Sequence, residues 1–444
     1  MTNPFRYGTL TIINDEYEVI RQYGGKAMTS KAAIHFLMWS FPLGGLLVSS
    51  ALAADLNAPA PHTKATPVVA AAPEPLDLNV TYIGEVWRNN GGIKTGSDYM
   101  SGLDLNLTVD AQKLLGLQNA KFYIEGFYVG GKSLGTTYIG GIQSPSALDA
   151  YGSTNMVKLY QAYYEQRFGA TDVLVGKYDV QTQFATTRPM ELFGNKGQAM
   201  NMAFMLMGAA SGFNGASTYP NSAVGLRVKQ TLNDQWSLKL GVLDGMADRP
   251  NGATGILIKD TYGALGIGEV DFTPAAHTKL MAGVWGDTGK FNKLGQFTST
   301  FAPIKTWGTT GEYVGGATRL YTIEGARGVD GFVNVGFADE ATSIFNHSLN
   351  AGVTVTGLID ARPTDKLGFA VAVGENSPGF RKVMLLTGHS IAKYETAYEA
   401  TYRAKLTSWL VVQPEVEYIV NPAGGGKKNA FVFGLHFELR GEFH

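Results

Sequence analysis

The stretch WLVVQPEVEYIVNP, residues 409–422, decides the fold class because its two alternating faces differ in chemistry. One parity carries apolar side chains and a proline: Leu410, Val412, Pro414, Val416, Tyr418 and Val420. The other parity includes Gln413, Glu415 and Glu417. Because successive strand side chains point to opposite faces, this predicts a strand with one apolar and one acidic face. The apolar face would meet a second sheet in a soluble sandwich, or lipid in an outer-membrane barrel.

The same alternation recurs along the chain, for example in SGLDLNLTVD at 101–110 and ETAYEATYRAKL at 395–406. Alternation with a period of two is typical of half-buried strands. It predicts sixteen strands: 76–87, 100–110, 120–129, 157–168, 171–178, 222–231, 235–243, 262–272, 277–287, 319–325, 331–338, 347–358, 366–374, 395–406, 408–420 and 429–439.

The connections between these strands alternate between compact and extended. Compact ones include FGATD at 168–172 and LTS at 406–408. The extended ones are 130–156, 179–221, 244–261, 288–318 and 375–394. Transmembrane barrels have short periplasmic turns, long external loops and an even number of strands. The chain therefore predicts an all-β fold, a sixteen-stranded antiparallel transmembrane β-barrel wide enough for an aqueous channel.

Composition excludes several classes of function. Charged residues make up 16% of the chain, against about 25% in an ordinary soluble domain. The 36 basic and 37 acidic residues nearly cancel, so the basic excess of a nucleic-acid-binding protein is absent. There is no cysteine, and no pair of histidines has the spacing of a metal site on a helix. We therefore predict no metal, no cofactor and no nucleic-acid partner.

The N-terminal part predicts export. Residues 28–53 have a lysine near their start, an apolar core and a final Ala-Leu-Ala, the layout of a secretory signal peptide. The apolar core is too short for a spanning helix, which needs about 20 residues. We expect 1–27 to be an upstream extension, 54–75 to be a Pro/Ala-rich tether, and 76–444 to form the barrel domain.

Two sequence patterns are also found in enzymes, but here each lacks the neighbouring structure that the enzyme's chemistry needs. Residues 126–133, GFYVGGKS, match a phosphate-binding loop, but the glycine-rich sequence that follows does not predict the helix such a loop needs. Glu395 and Glu399 share a strand face about 13 Å apart, too far for a glycosidase pair without other groups. We therefore predict that the protein is not an enzyme and has no catalytic residues.

Several blocks in order resemble the carbohydrate-selective porins of the OprB type. The most specific is YETAYEATYRAKLTSWLVVQPEVEYIVNPAGG at 394–425, in which Glu417 stands where that family more often has glutamine. Supporting blocks are KLYQAYYEQRF, VGKYDVQTQFA, AVGLRVKQTLNDQWSLKLGVLDG and GLIDARPTDKLGFAVAV. The resemblance covers nearly all of 76–440.

This resemblance implies a Gram-negative outer-membrane porin that passes small sugars by diffusion, narrowed by infolded external loops. The implied partners are outer-membrane lipid, small carbohydrates and the barrel-assembly machinery. Two alternatives stay open: a less selective porin that passes other small solutes, and an exported soluble all-β sugar-binding protein or hydrolase.

A sugar needs polar partners for its hydroxyl groups and aromatic faces for its C–H faces. By strand parity, the candidate pore-lining residues are Glu85, Trp87, Asp104, Glu125, Arg227, Lys239, Glu399, Arg403, Glu415 and Glu417. The segment 179–221 is the candidate constriction, with Arg188, Glu191, Asn195 and Lys196. Trp87 should point inward, against the infolded loops or a solute, and Trp236 should face lipid.

Overall fold

The computed structural model describes residues 20–23, 26–29, 75–151, 155–193, 217–219, 221–245, 247, 262–422 and 427–443. In this part of the chain, sixteen antiparallel strands close into one barrel in sequence order, with the last strand paired to the first. They are β1 Leu76–Gly92, β2 Gly96–Asp110, β3 Ala120–Gly131, β4 Met156–Phe168, β5 Thr171–Tyr178, β6 Ala223–Thr231, β7 Trp236–Asp244, β8 Ala264–Ala275, β9 Thr278–Phe297, β10 Pro303–Glu324, β11 Arg327–Ala338, β12 Phe345–Thr356, β13 Lys366–Asn376, β14 Tyr394–Lys405, β15 Leu410–Val420 and β16 Lys428–Phe443. The predicted sixteen-stranded antiparallel barrel is confirmed.

One predicted connection is wrong. Residues 288–318 were expected to be an extended loop, but β9 continues to Phe297 and β10 already begins at Pro303. The two strands pair beyond the barrel wall, for example at Lys290 and Trp307. This ribbon lacks clean alternation because Phe291 and Leu294 are both buried. Its packing partner is a helix from another connection, so strand parity could not reveal it.

The outer face of the barrel is apolar, as a lipid-facing surface requires. Its exposed side chains include Leu240, Val284, Val314, Val333, Phe369 and Phe433. Trp236 also lies on this face and stacks on Phe272, with ring centroids 4.3 Å apart. Apolar residues exposed on every side of a closed sheet indicate surroundings of lipid rather than water.

Pro414 interrupts the pairing of β15 with β14 locally. The paired residues stop at Thr401 and Glu415 and resume at Ala404 and Val412 without a change of register. Proline has no N–H group to donate to the ladder, so a gap is the expected consequence. The Thr401 hydroxyl partly compensates by donating to the Pro414 carbonyl at 3.2 Å.

The connections at one end of the barrel are shorter than several of those at the other end. At the end that holds both termini of the barrel domain they run 111–119, 169–170, 232–235, 276–277, 325–326, 357–365 and 406–409. At the opposite end, the segments after β3, β5, β7 and β13 are much longer. The described α-helices are α1 Ala111–Leu115, α2 Val180–Gln183 and α3 Pro378–Leu386, and other helical turns lie at Gly135–Ile139, Leu148–Tyr151 and Arg188–Leu192.

The N-terminal predictions fall largely outside the described residues. Ile20–Tyr23 and Lys26–Thr29 pair as a separate two-stranded hairpin. The predicted signal peptide beyond residue 29 and the tether up to residue 74 lie outside the described ranges. Among the residues that are described, no helix combines the length and the apolar character needed to cross a membrane.

Candidate functional site

The wall residues predicted by strand parity lie on the barrel's inner face. Glu85, Trp87, Asp104, Glu125, Arg227, Lys239, Glu399, Glu415 and Glu417 are buried, and Arg403 is half-buried. Their burial comes from two connections that fold into the barrel. We call residues 132–151 the first inner segment and residues 179–193 the second inner segment.

The first inner segment is held by two wall carboxylates. Glu395 on β14 accepts hydrogen bonds from the backbone N–H groups of Ile142 at 2.9 Å and Gln143 at 2.6 Å. Glu85 on β1 accepts one from the Ser146 hydroxyl at 2.6 Å. This segment belongs to one of the extended connections, but no pattern in its sequence predicted that it folds inward.

The stretch that resembles a phosphate-binding loop, 126–133, lies mostly on β3 and ends at the start of this segment. Only a five-residue helical turn, Gly135–Ile139, comes after it. The first N–H group of this turn, that of Gly135, donates to the Asp149 carboxylate at 2.9 Å. A carboxylate of the protein therefore already bonds to the N–H group at the start of this turn.

The second inner segment leaves β5 and crosses the barrel. The Ala185 N–H group donates to Glu269 on β8 at 2.6 Å, and Lys279 on β9 donates to the Thr186 carbonyl at 3.0 Å. At its far end, the Gln413 amide on β15 donates to the Leu192 carbonyl at 2.8 Å. These bonds join wall strands on different sides of the barrel, so the segment narrows the interior.

A glycine on the wall allows this crossing. A Cβ atom on Gly368 of β13 would meet Leu192 Cδ2 at 2.5 Å and Phe193 Cζ at 2.8 Å. Such distances are far below van der Waals contact, so a larger side chain would push the Leu192 and Phe193 side chains out of place. Phe193 also packs on Phe332 of β11, with ring centroids 5.8 Å apart.

Charges of both signs meet where the second inner segment reaches the wall. Arg188 and Glu191 are exposed on the segment. Lys366 on β13 interacts electrostatically with Glu191, Arg403, Asp330 and Arg188. The two other predicted constriction residues, Asn195 and Lys196, lie outside the described residues.

A buried ion cluster fixes the start of the crossing. Lys239 on β7 lies 2.7 Å from Glu269 and 2.9 Å from Asp271, both on β8. Lys279 lies 3.1 Å from Asp271, and the Tyr313 hydroxyl donates to Glu269 at 2.6 Å. Each carboxylate thus has several donors, as a buried charge requires. Lys239 therefore supports the segment indirectly, through Glu269.

Trp87 is completely buried and does not face open space. Its indole N–H group donates to Glu85 at 3.0 Å. A Cβ atom on Gly434 of β16 would lie 2.3 Å from Trp87 Cζ3, so the ring covers this glycine. Trp87 was expected to contact either the infolded loops or a solute. It belongs to a buried cluster that includes Leu134 and Ile139 of the first inner segment, and the ring has no face open to a solute.

The pore-lining residues predicted from strand parity did not include any on the polar face of β16. His436 Nδ1 lies 3.0 Å from Glu85 Oε1, and His436 Nε2 lies 3.0 Å from Glu438 Oε1. Arg403 Nη2 lies 2.7 Å from Glu438 Oε2. Alternation along this strand puts Phe431, Phe433 and Phe437 on one face and His436 and Glu438 on the other, so the signal was present in the sequence.

Two buried carboxyl groups in the connections have strongly shifted pKa values. Burial raises the pKa of Asp149 to about 7, although Ser133, Ser144 and the Gly135 N–H group bond to it. Burial likewise raises the pKa of Asp179 to about 7, although a hydrogen bond from Tyr160 acts in the opposite direction.

Within the described residues, no three His, Asp or Glu side chains are placed to hold a metal ion.

The chain matches the family model of the carbohydrate-selective porins, OprB family, over residues 94–440. It is 25% identical over 411 residues to Porin B of Pseudomonas aeruginosa, covering 82% of this chain and 87% of that protein. The high-pH structure of Pseudomonas putida OprB is 23% identical and covers 82% of this chain and 94% of its own, with a TM-score of 0.70. The low-pH structure of the same protein gives a TM-score of 0.52 at 18% identity, covering 82% and 92%.

These matches agree with the closed barrel and its apolar outer face. The family and the fold are those of channel proteins of the Gram-negative outer membrane. The prediction of an outer-membrane porin is confirmed, and the alternative of an exported soluble protein is not supported. The family model covers most of the barrel domain, and this chain belongs to the OprB family of carbohydrate-selective porins.

Proposed function

We propose that small neutral carbohydrates cross the outer membrane through the space between the second inner segment and the wall strands β13 and β14. The observation that carries this proposal is the meeting of both charge signs there. Arg188 and Glu191 lie on the segment, and Lys366 and Arg403 lie on the wall. A sugar hydroxyl both donates and accepts hydrogen bonds, so a neutral polyol is served by donors and acceptors side by side.

The inner carboxylates divide into two roles in this proposal. Glu395 and Glu85 hold the first inner segment, and Glu269 holds the second. These groups shape the passage rather than contact solute. Glu399 and Glu417 oppose each other in register on β14 and β15 and are both buried. Glu395 is occupied by two backbone N–H groups, so we infer no catalytic role for it.

We further propose the orientation and the partners of the barrel. The end with both termini and the shorter connections would face the periplasm, and the longer connections would face outward. The apolar outer face would contact outer-membrane lipid. The aromatic last strand, with Phe431, Phe433 and Phe437 on its outward face, would be the part that the barrel-assembly machinery handles.

One observation favours a second candidate, a less selective porin that also passes small anions. Lys366, Arg403 and Arg440 bring three cations to the same end of the interior. Proteoliposome swelling would separate the two functions. A neutral hexose should enter faster than a zwitterionic amino acid or an organic acid of similar size. Equal rates for all three solutes would support the less selective porin.

A further inference from the structure

His436 on β16 has a carboxylate at each of its two ring nitrogens. Nδ1 lies 3.0 Å from Glu85 Oε1, and Nε2 lies 3.0 Å from Glu438 Oε1. A neutral imidazole has one N–H donor and one acceptor nitrogen, so it would turn a lone pair toward one carboxylate. An imidazolium donates to both. The geometry therefore matches the protonated ring.

Each of the two carboxylates also accepts a hydrogen bond from a residue in the part of the protein that narrows the pore. Glu85 Oε2 accepts a hydrogen bond from the Ser146 hydroxyl of the first inner segment at 2.6 Å. Glu438 Oε2 accepts one from Arg403 at 2.7 Å. His436 thus lies between the anchor of the first inner segment and an arginine of the constriction.

The chain of bonds continues from Arg403 to the second inner segment. Arg403 Nη1 donates to Gln413 Oε1 at 2.9 Å, and Gln413 Nε2 donates to the Leu192 carbonyl at 2.8 Å. A continuous series of hydrogen bonds therefore joins Ser146 in one inner segment to Leu192 in the other. His436 is the one imidazole in this series, and imidazole is the side chain whose ordinary pKa lies nearest to neutral pH.

We propose that His436 is a positioning residue for solute passage: as an imidazolium it holds Glu85 and Glu438, and through them both inner segments, in the narrow arrangement. This inference rests on the proposed function. Loss of the ring proton leaves a lone pair against a carboxylate, so one of the two bonds is lost. The inner segments then loosen, the pore widens and a bound sugar is held less tightly.

Other charged groups surround this site and enter the test. Glu438 also accepts from Arg440, and Asp149 of the first inner segment interacts with Glu85 through space. On β15, Gln413 lies opposite His436 in register, and Glu415 follows on the same face. Asp149 can itself change charge near neutral pH, so its contribution has to be separated by a variant.

The test is the single-channel conductance of the full-length protein in planar bilayers from about pH 5 to about pH 10, with and without a hexose. In the wild type, conductance should rise with pH and the sugar dissociation constant should increase about two- to tenfold, as expected for one lost hydrogen bond. His436→Gln, which cannot donate to both carboxylates, should show the wide state at every pH. His436→Lys keeps a positive charge beside Glu85 and Glu438 and should stay narrower than His436→Gln across this range. Asp149→Asn should retain the pH step of the wild type.

Three results would overturn the proposal: a pH step that persists in His436→Gln, a wild type without any step, or a His436→Lys channel that behaves like His436→Gln. If His436→Gln does not assemble, the comparison of His436→Lys with the wild type decides. The proposed function fails separately, if hexose leaves the wild-type current unchanged at every pH. The conductance step of the ionic current would still test His436 in that case.

Discussion

The amide of Gln413 donates a hydrogen bond of 2.8 Å to the backbone carbonyl of Leu192, and this bond ties the second inner segment to the wall far from its origin at β5. Gln413 is buried and also contacts Thr401 and Arg403. A single side chain thus joins the end of the crossing segment to two neighbouring positions of the wall.

Gln413→Ala should therefore release the far end of the second inner segment. We expect a higher single-channel conductance and a weaker block by sugar, because a buried carbonyl loses its partner at a cost of about 1 to 3 kcal/mol. Planar-bilayer recordings measure both quantities. Gln230→Ala, at the end of β6, is the matched control and should leave both unchanged. Identical channels from the two variants would contradict the assigned role of Gln413.

Glu395→Gln should loosen the first inner segment. The carboxylate accepts two backbone N–H groups, and charge-assisted bonds of this kind contribute about 1.5 to 3 kcal/mol. We expect faster proteolysis within 132–151 in the folded protein and noisier current. Glu375→Gln is the control on the neighbouring strand, since Glu375 pairs with Lys393 at 3.1 Å, away from the segment. Equal cleavage of the variant and the wild type would argue against this anchor.

The two tryptophans should separate stability from solute binding. Trp87→Ala removes a fully buried ring and should lower barrel stability by about 3 to 5 kcal/mol, seen as a lower temperature of conversion to the unfolded band on gels. Trp236→Ala should lose only the stacking on Phe272, worth about 0.5 to 1.5 kcal/mol. Sugar titrations of the Trp236→Ala channel should match the wild type. An unchanged conversion temperature for Trp87→Ala would contradict its position inside the wall.

The raised pKa of Asp149 predicts that the stability of the folded protein decreases with rising pH. Its folded pKa of about 7 exceeds the ordinary value of 3.8, so the folded state binds the proton more tightly than the unfolded state. Stability should therefore fall as pH rises from about 4 to about 7, and stay lower above that range. Asp149→Asn should flatten this part of the profile, measured by urea unfolding in detergent at several pH values. A wild-type stability that rises over this range, or a variant with the same profile, would contradict the burial of this carboxyl group.

Strand parity predicted the wall well because it depends only on local sequence. The alternation of β15 placed Glu415 and Glu417 inside and Val416 and Tyr418 outside, and the burial of these residues follows that pattern. The same rule failed in the ribbon formed by β9 and β10. There, Phe291 and Leu294 are buried by another connection rather than by the barrel wall.

The inner segments show where sequence reasoning stops. Their positions depend on contacts between residues far apart in the chain, such as Glu395 with Gln143 and Gln413 with Leu192. Neither partner of such a pair has a local pattern that identifies the other. The segment 179–221 could be proposed as infolded from a family resemblance, whereas the first inner segment had no comparable indication. Trp87 was expected to point inward, and only the packing shows that its ring is fully buried.

The central claim is that the barrel passes neutral sugars between the second inner segment and the wall. The most direct measurement is a titration of the ionic current through single channels in planar bilayers with a panel of sugars. We predict a saturable fall in current with hexoses, and a much weaker response to an inert polyether of the same size. A current that no sugar reduces, or that the polyether reduces equally, would contradict selective passage of carbohydrates.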